Sequence, residues 1–392
     1  MLPVNAISPL LPHIAAAFRA DFALVNLAVA GYAIATALTN LVAGALSDRY
    51  GRRPVALIAI SIFIAASVGC AVATDIGVFL LFRSMQASVS ACFSIALVVI
   101  KETSDERKAA SKFGYLAMGW AIAPMLGPLF GGLLDALFGW RAVFVVLAIL
   151  GAATLALSMS ELKETAVISS GARTNYLASY GQLLHSPRFW TYTLCMTFSM
   201  GTLYIFLGGA PLAIGKSLDG STAALGLFMG MVPVGFILGS YLAGRYGATL
   251  SLGATLVLAR LLTCMGLAAG LILSLSGNTH ILAFFGPCVF IGIGNGLTMP
   301  AANAGVLSVN GELSGTAAGL AAAMSIAGGA LVVSIAGVFV AQSVTAQTLL
   351  AAMLVSASLA MLAALCAALL DRRIAWPTSW RKRSRHGLSP PN

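Results

Sequence analysis

Apolar runs of roughly 20 residues, each closed by a short polar turn, recur along almost the whole chain. A helix of about that length crosses a hydrocarbon layer ~30 Å thick. Backbone groups in lipid have no water to bond, so such runs must satisfy them internally, as helices do. The pattern predicts twelve membrane helices, over 1–18, 22–46, 54–73, 76–100, 111–135, 140–160, 188–214, 222–246, 249–276, 281–308, 313–342 and 345–370. A polar interval over 161–187, rich in Ser, Thr, Gly, Arg and Lys, splits them six and six. The predicted fold is all-α and integral to a membrane. Its parts are an N-terminal six-helix bundle (1–160), a linker (161–187), a C-terminal six-helix bundle (188–371) and a basic tail (372–392). The first run is short, and Pro3, Pro9 and Pro12 interrupt it. Its uncharged start does not suit a cleavable signal peptide. We read it as a helix whose beginning is missing, with the true start upstream of Met1.

The placement of Lys and Arg orients these helices. Seventeen of the 22 fall in, or at the run edges beside, the 2–3, 4–5 and 8–9 turns, the central linker and the tail. Only Arg19, Arg141 and Lys216 fall on the other side, and Arg83 and Arg260 lie inside runs. Positive charge stays on the cytoplasmic face, so the linker and the C-terminus are expected there, in a bacterial inner membrane. The formal charge of +10 is thus a topology and lipid-contact signal, not a nucleic-acid surface.

Composition narrows the function classes. Charged residues make up 9% and hydrophobic residues 59%, against about 25% charged in a soluble domain. That excludes a soluble enzyme, a nucleic-acid-binding domain and a disordered chain. The six cysteines lie in apolar stretches without CxxC spacing, which reads as packing rather than as a disulfide framework or metal site. Gly215-Lys216-Ser217 imitates the end of a phosphate loop, but Ala210 stands where its first glycine belongs. No nucleotide, cofactor or metal is expected.

Four patterns carry chemistry. The turn after the second run reads Gly44-Ala-Leu-Ser-Asp48-Arg49-Tyr-Gly51-Arg52-Arg53-Pro54. Gly44 permits close helix approach, Gly51 a tight turn, and Pro54 suits a first helical turn. Asp48 can cap a neighbouring helix N-terminus and pair with an arginine. The fourth run carries Arg83, Gln86, Ser90 and Ser94 on one helical stripe. An intramembrane charge faces a bundle interior or water, or else snorkels to the surface. The fifth run holds Gly119, Pro124, Gly127, Pro128, Gly131 and Gly132, a set suited to bending and close packing. A degraded copy of the first turn, Gly239 to Gly247, follows the eighth run without the acid. Arg260, in the ninth run, is expected to pair with a backbone carbonyl or to snorkel.

These segments resemble motif A, motif B (with Ala87 for its glycine) and motif C of the major facilitator superfamily. Motif C points to its drug/proton antiporters. His185-Ser-Pro-Arg-Phe189-Trp190-Thr-Tyr192, Gly201-Thr202, Ala210-Pro211 and Gly315-Thr316-Ala317-Ala318 are similar to the Bcr/CflA branch of drug exporters. The resemblance implies two six-helix bundles around a midplane cavity. It implies a latch from Gly44, Asp48, Arg49, Gly51, Arg52 and Arg53, and places Arg83, Gln86 and Asn5 on the cavity wall as coupling or cavity residues. Tyr192, Met196, Met200 and Asn295 would bind substrate. It further implies a monomeric exporter of drug-like small molecules, driven by protons and in contact with membrane lipid. The departure lies in the first run, where Asn5 replaces the branch's intramembrane Asp. All twelve acids fall in loops or at helix ends. That leaves two alternatives to proton antiport: a facilitator or uptake permease, and a non-transporting membrane sensor or scaffold.

Overall fold

The computed structural model describes all residues except 1, 105, 166–175, 215–227, 248, 278–279, 312, 341–344 and 384–392. The phosphate-loop imitation at Gly215–Ser217, the acids Asp105, Asp219 and Glu312, and the last residues of the tail lie outside the described part.

Helices follow one another with short turns. The first run is α1 (Leu2–Ile7), a 3-10 turn (Ser8–Leu10) and α2 (Leu11–Phe18). Pro9 and Pro12 have no N–H to continue the α ladder, which explains the break. Next come α3 (Phe22–Tyr50) and α4 (Arg52–Val72). Between them stands only Gly51, with φ +99°, a conformation that a Cβ would strain. The fourth run is two helices, α5 (Ile76–Met85) and α6 (Ser90–Glu102), with a 3-10 turn at Gln86–Val89 that periodicity did not reveal. Asp75 caps α5 by accepting from Gly77 N at 2.7 Å and Val78 N at 3.2 Å. The N-terminal half ends with α7 (Glu106–Phe138) and α8 (Trp140–Glu161).

The polar interval is not wholly irregular, because α9 (Tyr176–Leu184) forms within it. The second half comprises α10 (Pro187–Ile214), α11 (Met231–Tyr246), α12 (Leu252–Leu275), α13 (Ile281–Leu307), α14 (Ser314–Val340) and α15 (Ala346–Arg383). The last helix runs on past the apolar stretch into the basic tail. Nine stretches among the described residues are long and apolar enough to cross a membrane alone. The α1–α2 run, α7 and α11 complete the series of twelve in chain order.

Each half has its own core. In the first, Phe79, Trp140 and Phe144 pack edge to face, with ring centroids 5.5–6.0 Å apart. In the second, Phe206, Phe284 and Phe285 do the same. The outward surface is apolar: Leu129 and Phe339 are each 70% exposed and Val338 68%. An apolar exterior of this extent requires lipid around it.

Candidate functional site

The two halves are clasped at one end, the end that carries most of the basic residues. Asp48, in the last turn of α3, reaches the first turn of α14. Its Oδ1 accepts from Gly315 N at 2.9 Å, and its Oδ2 from Thr316 N and Thr316 Oγ1, both at 2.6 Å. An anion at a helix N-terminus is favoured by the exposed N–H groups and the helix dipole. Arg52 donates to the same Oδ1 at 2.6 Å, to Ser47 Oγ at 3.0 Å and to Glu102 Oε1 at 3.0 Å. Glu164 accepts from the backbone N–H of Arg52 (2.8 Å) and Arg53 (3.1 Å), capping α4 in turn. Arg53 also donates to Met159 O at 2.9 Å, and Arg49 stacks over Tyr50.

Backbone proximity makes the clasp possible. A Cβ at Gly44 would overlap the Gly315 carbonyl, and one at Gly319 would overlap that of Asn40. On the other side of the interface, Gly114 of α7 lies against the backbone of Gly244 of α11, and Ser111 Oγ donates to Gly244 O. Lys101, at the end of α6, donates to Leu307 O, the last carbonyl of α13, and to Ser314 Oγ at 3.3 Å. The turn between α13 and α14 is thus held by a cation at the helix end before it and an anion at the helix start after it. Both charges have the sign that the local dipole favours. No hydrogen bond among the described residues joins the halves at the opposite end. There His13 Nδ1 and Asp135 Oδ2 pair at 2.5 Å within the first half.

Below the clasp lies a cavity of about 480 Å³. Both halves wall it: Tyr32, Thr36 and Asn40 of α3 on one side, and Met196, Met200 and Met299 on the other. It extends beside α3 to Ile60 and Thr154. Most of its surface is apolar. The Oγ of Thr36 and of Ser90 are buried there without a hydrogen-bond partner. A buried hydroxyl left without a partner costs free energy.

Arg83 and Gln86, expected on this wall, lie outside its lining; Arg83 is 0% exposed, so it does not snorkel. Its Nε donates to Ala28 O (3.2 Å), one terminal nitrogen to Gln86 Oε1 (2.7 Å) and the other to Pro3 O (2.9 Å). Its guanidinium covers the Tyr32 ring at 4.2 Å, a cation–π contact. Gln86 passes the chain on to Ser67 Oγ at 2.7 Å. The polar stripe of the fourth run faces a second stripe, Tyr32-Thr36-Asn40, and Ser94 Oγ lies 3.1 Å from Asn40 Oδ1. That second stripe was legible as an i, i+4, i+8 spacing.

The second half repeats the plan. Arg260 of α12 is also 0% exposed and donates to Asn295 Oδ1 of α13 at 3.1 Å. Asn295 Nδ2 donates to Ser199 O of α10 at 3.1 Å. In each half a buried arginine bonds an amide on the fourth helix of that half. In each half the network also reaches a carbonyl of its first helix. Arg260 pairs with a side chain, not with the carbonyl or the surface expected for it.

Three further expected positions differ from the sequence reading. Tyr192 is not on the cavity wall: its hydroxyl donates to Asp371 Oδ2 at 2.5 Å, beside Arg188, and its ring fills the gap at Gly305. Asn295 is held inside the second half by Arg260 and Ser199. Asn5 lies against Gly127 rather than on the cavity wall. Met196 and Met200 do line the cavity. In motif C, Gly127 and Gly131 receive the backbone of Asn5 and Ala6, so α7 and α1 touch main chain to main chain. Gly119 and Gly132 meet nothing within 4 Å, and Pro128 faces outward. Pro124 lies within α7, but its side chain is outside the described part.

Twelve membrane-crossing stretches in two halves, with a cavity between them and a clasp at one end, define the class of secondary transporters. The family model described as Major Facilitator Superfamily matches residues 1–333. Multidrug resistance protein MdtL of Citrobacter koseri is 31% identical over 298 residues, spanning 74% of this chain and 74% of that protein. MdtL of Escherichia coli O81 is 28% identical over 295 residues, again 74% of each. Among solved structures, the E. coli fucose:proton symporter FucP superposes with a TM-score of 0.75 at 13% identity, covering 93% of this chain and 94% of that one. The proton:xylose symporter XylE gives 0.74 at 15% identity, covering 93% and 91%. At those identities the structures speak for the fold alone. The chain belongs to the major facilitator superfamily.

Proposed function

We propose that the protein exports amphiphilic, drug-like molecules from the cytoplasm across the bacterial inner membrane by alternating access. The observation that carries this reading is the cavity between the halves, walled by methionine, aromatic and neutral polar side chains. Such walls accept bulky substrates of varied shape. The relatives named multidrug resistance protein MdtL support the same reading, and motif C and the α10 segment favour the Bcr/CflA branch. The basic end is cytoplasmic by its charge, so the clasped state faces outward. The halves 1–160 and 188–371 rock about the cavity, the linker 161–187 joins them, and the tail 372–392 rests on anionic lipid. Asp48, Arg52 and Lys101 hold the outward-facing state, and Gly44 and Gly315 allow the contact. The protein works as a monomer.

Proton exchange is the expected energy source. A facilitated route without protons is the second reading. It is favoured by a cavity wall that bears no carboxylate among the described residues. Everted membrane vesicles decide between them. Antiport requires dye accumulation that a protonophore abolishes; facilitation gives equilibration that a protonophore leaves unchanged. Vesicles that neither accumulate nor equilibrate amphiphiles faster than vesicles without the protein would end both readings.

A further inference from the structure

We propose that the cavity selects for anionic and neutral amphiphiles and against cationic ones, an inference that rests on the cavity being the substrate site. The sign of its field follows from three observations. Every side chain that lines it is neutral. Two guanidinium groups are fully buried outside its lining, one in each half. Neither has a carboxylate partner among the described residues: Arg83 bonds Ala28 O, Pro3 O and Gln86 Oε1, and Arg260 bonds Asn295 Oδ1. Nε and one terminal nitrogen of Arg260 have no hydrogen-bond partner among the described residues.

Arginine keeps its proton even when buried, so both positions are permanent positive charges. Carbonyl and amide dipoles solvate such a charge locally but do not cancel its field at a distance. None of the described carboxylates lines the cavity, and Asp48, Glu102, Asp135, Glu164 and Asp371 are taken up by other partners. The link to the cavity is direct for Arg83 and runs through Asn295 and Ser199 for Arg260. Pro3 and Tyr32, which touch the Arg83 guanidinium, are themselves part of the wall. Asn295 ties Arg260 to Ser199, the neighbour of wall residue Met200 in α10. For a ligand charge roughly 10 Å from one guanidinium, at an effective dielectric of about 20, affinity changes on the order of tenfold, upward for an anion and downward for a cation. The two arginines act in the same direction.

The test uses two ions of one shape, tetraphenylborate and tetraphenylphosphonium. Each competes with the neutral fluorophore N-phenyl-1-naphthylamine for purified protein in nanodiscs, with empty nanodiscs subtracted. Tetraphenylborate is expected to displace the fluorophore at a concentration at least about a hundredfold below that of tetraphenylphosphonium. Arg83→Met and Arg260→Met should each cut that ratio about a hundredfold, while Arg83→Lys and Arg260→Lys keep it. Equal potency of the two ions on the unmodified protein, or preference for the cation, overturns the proposal. So does a ratio that neither Met variant moves. Because the readout is binding, it does not depend on transport direction. Anion preference without export in everted vesicles would sink the export reading and leave the selectivity standing. Export of cationic dyes with cation preference would do the reverse.

Discussion

Replacing Asp48 by Asn removes one charge and changes one oxygen into a donor. In the clasp, Asp48 accepts three hydrogen bonds from Gly315 and Thr316 of α14 and one from Arg52. An Asn side chain can keep Oδ1 on Gly315 N and Arg52, but its amide nitrogen then faces the Thr316 N–H. That N–H is left unpaired, at about 1–3 kcal/mol. The lost anion at the helix N-terminus adds about 0.3–2 kcal/mol. A loss of about 2 kcal/mol shifts the ratio of clasped to unclasped molecules about thirtyfold. The shift can be read at Ala318, which is 3% exposed and is packed with Leu97 and Phe113 of the other half. On a background without the six native cysteines, Ala318→Cys should react slowly with a hydrophilic maleimide. Adding Asp48→Asn should raise that rate by ten- to thirtyfold. An unchanged rate, with full transport at matched expression, would refute the idea that Asp48 holds the halves together.

Lys101→Met removes the cation from the end of α13 and should open the same interface several-fold, measured by the same maleimide rate. Combining it with Asp48→Asn should give less than the product of the single effects, since both charges grip one turn. Thr36→Val and Ser90→Ala remove the unpartnered cavity hydroxyls. Each should stabilise the protein against heat by a few degrees, seen as a raised midpoint of thermal unfolding, because an unbonded buried hydroxyl is removed.

Much of the architecture was legible because lipid imposes a simple rule. An apolar run of sufficient length must be a helix, and loop charge orients it, so twelve runs in two sets could be read directly. Helix interruptions were less legible. Pro9 announced the break in the first run, whereas the 3-10 turn at Gln86–Val89 has neither proline nor glycine to mark it. The motif A segment gave Asp48 its cap, since spacing and residue type state that chemistry together. Its partners were harder to see. Glu164 and Lys101 reach the clasp across 112 and 206 positions of sequence, and a sequence does not show such distances directly. Tyr192 and Asn295 had been placed on the cavity wall by helix number alone. A helix has faces, and their side chains turn into the second half, toward Asp371 and Arg260. The glycines of motif C divide in the same way, with Gly127 and Gly131 facing α1 and Gly119 and Gly132 meeting nothing.

Transport through the cavity is tested most directly by filling it. Ala33 is an exposed alanine of α3 on the cavity wall, so Ala33→Trp places an indole in the space without displacing a core side chain. The measurement is the initial rate at which proteoliposomes of purified protein take up a fluorescent amphiphile under an imposed pH gradient. The unmodified protein should give uptake that collapses with the gradient. The Ala33→Trp protein, equally folded and equally incorporated, should fall to the rate of empty liposomes. Equal uptake by the two proteins would contradict transport through this cavity.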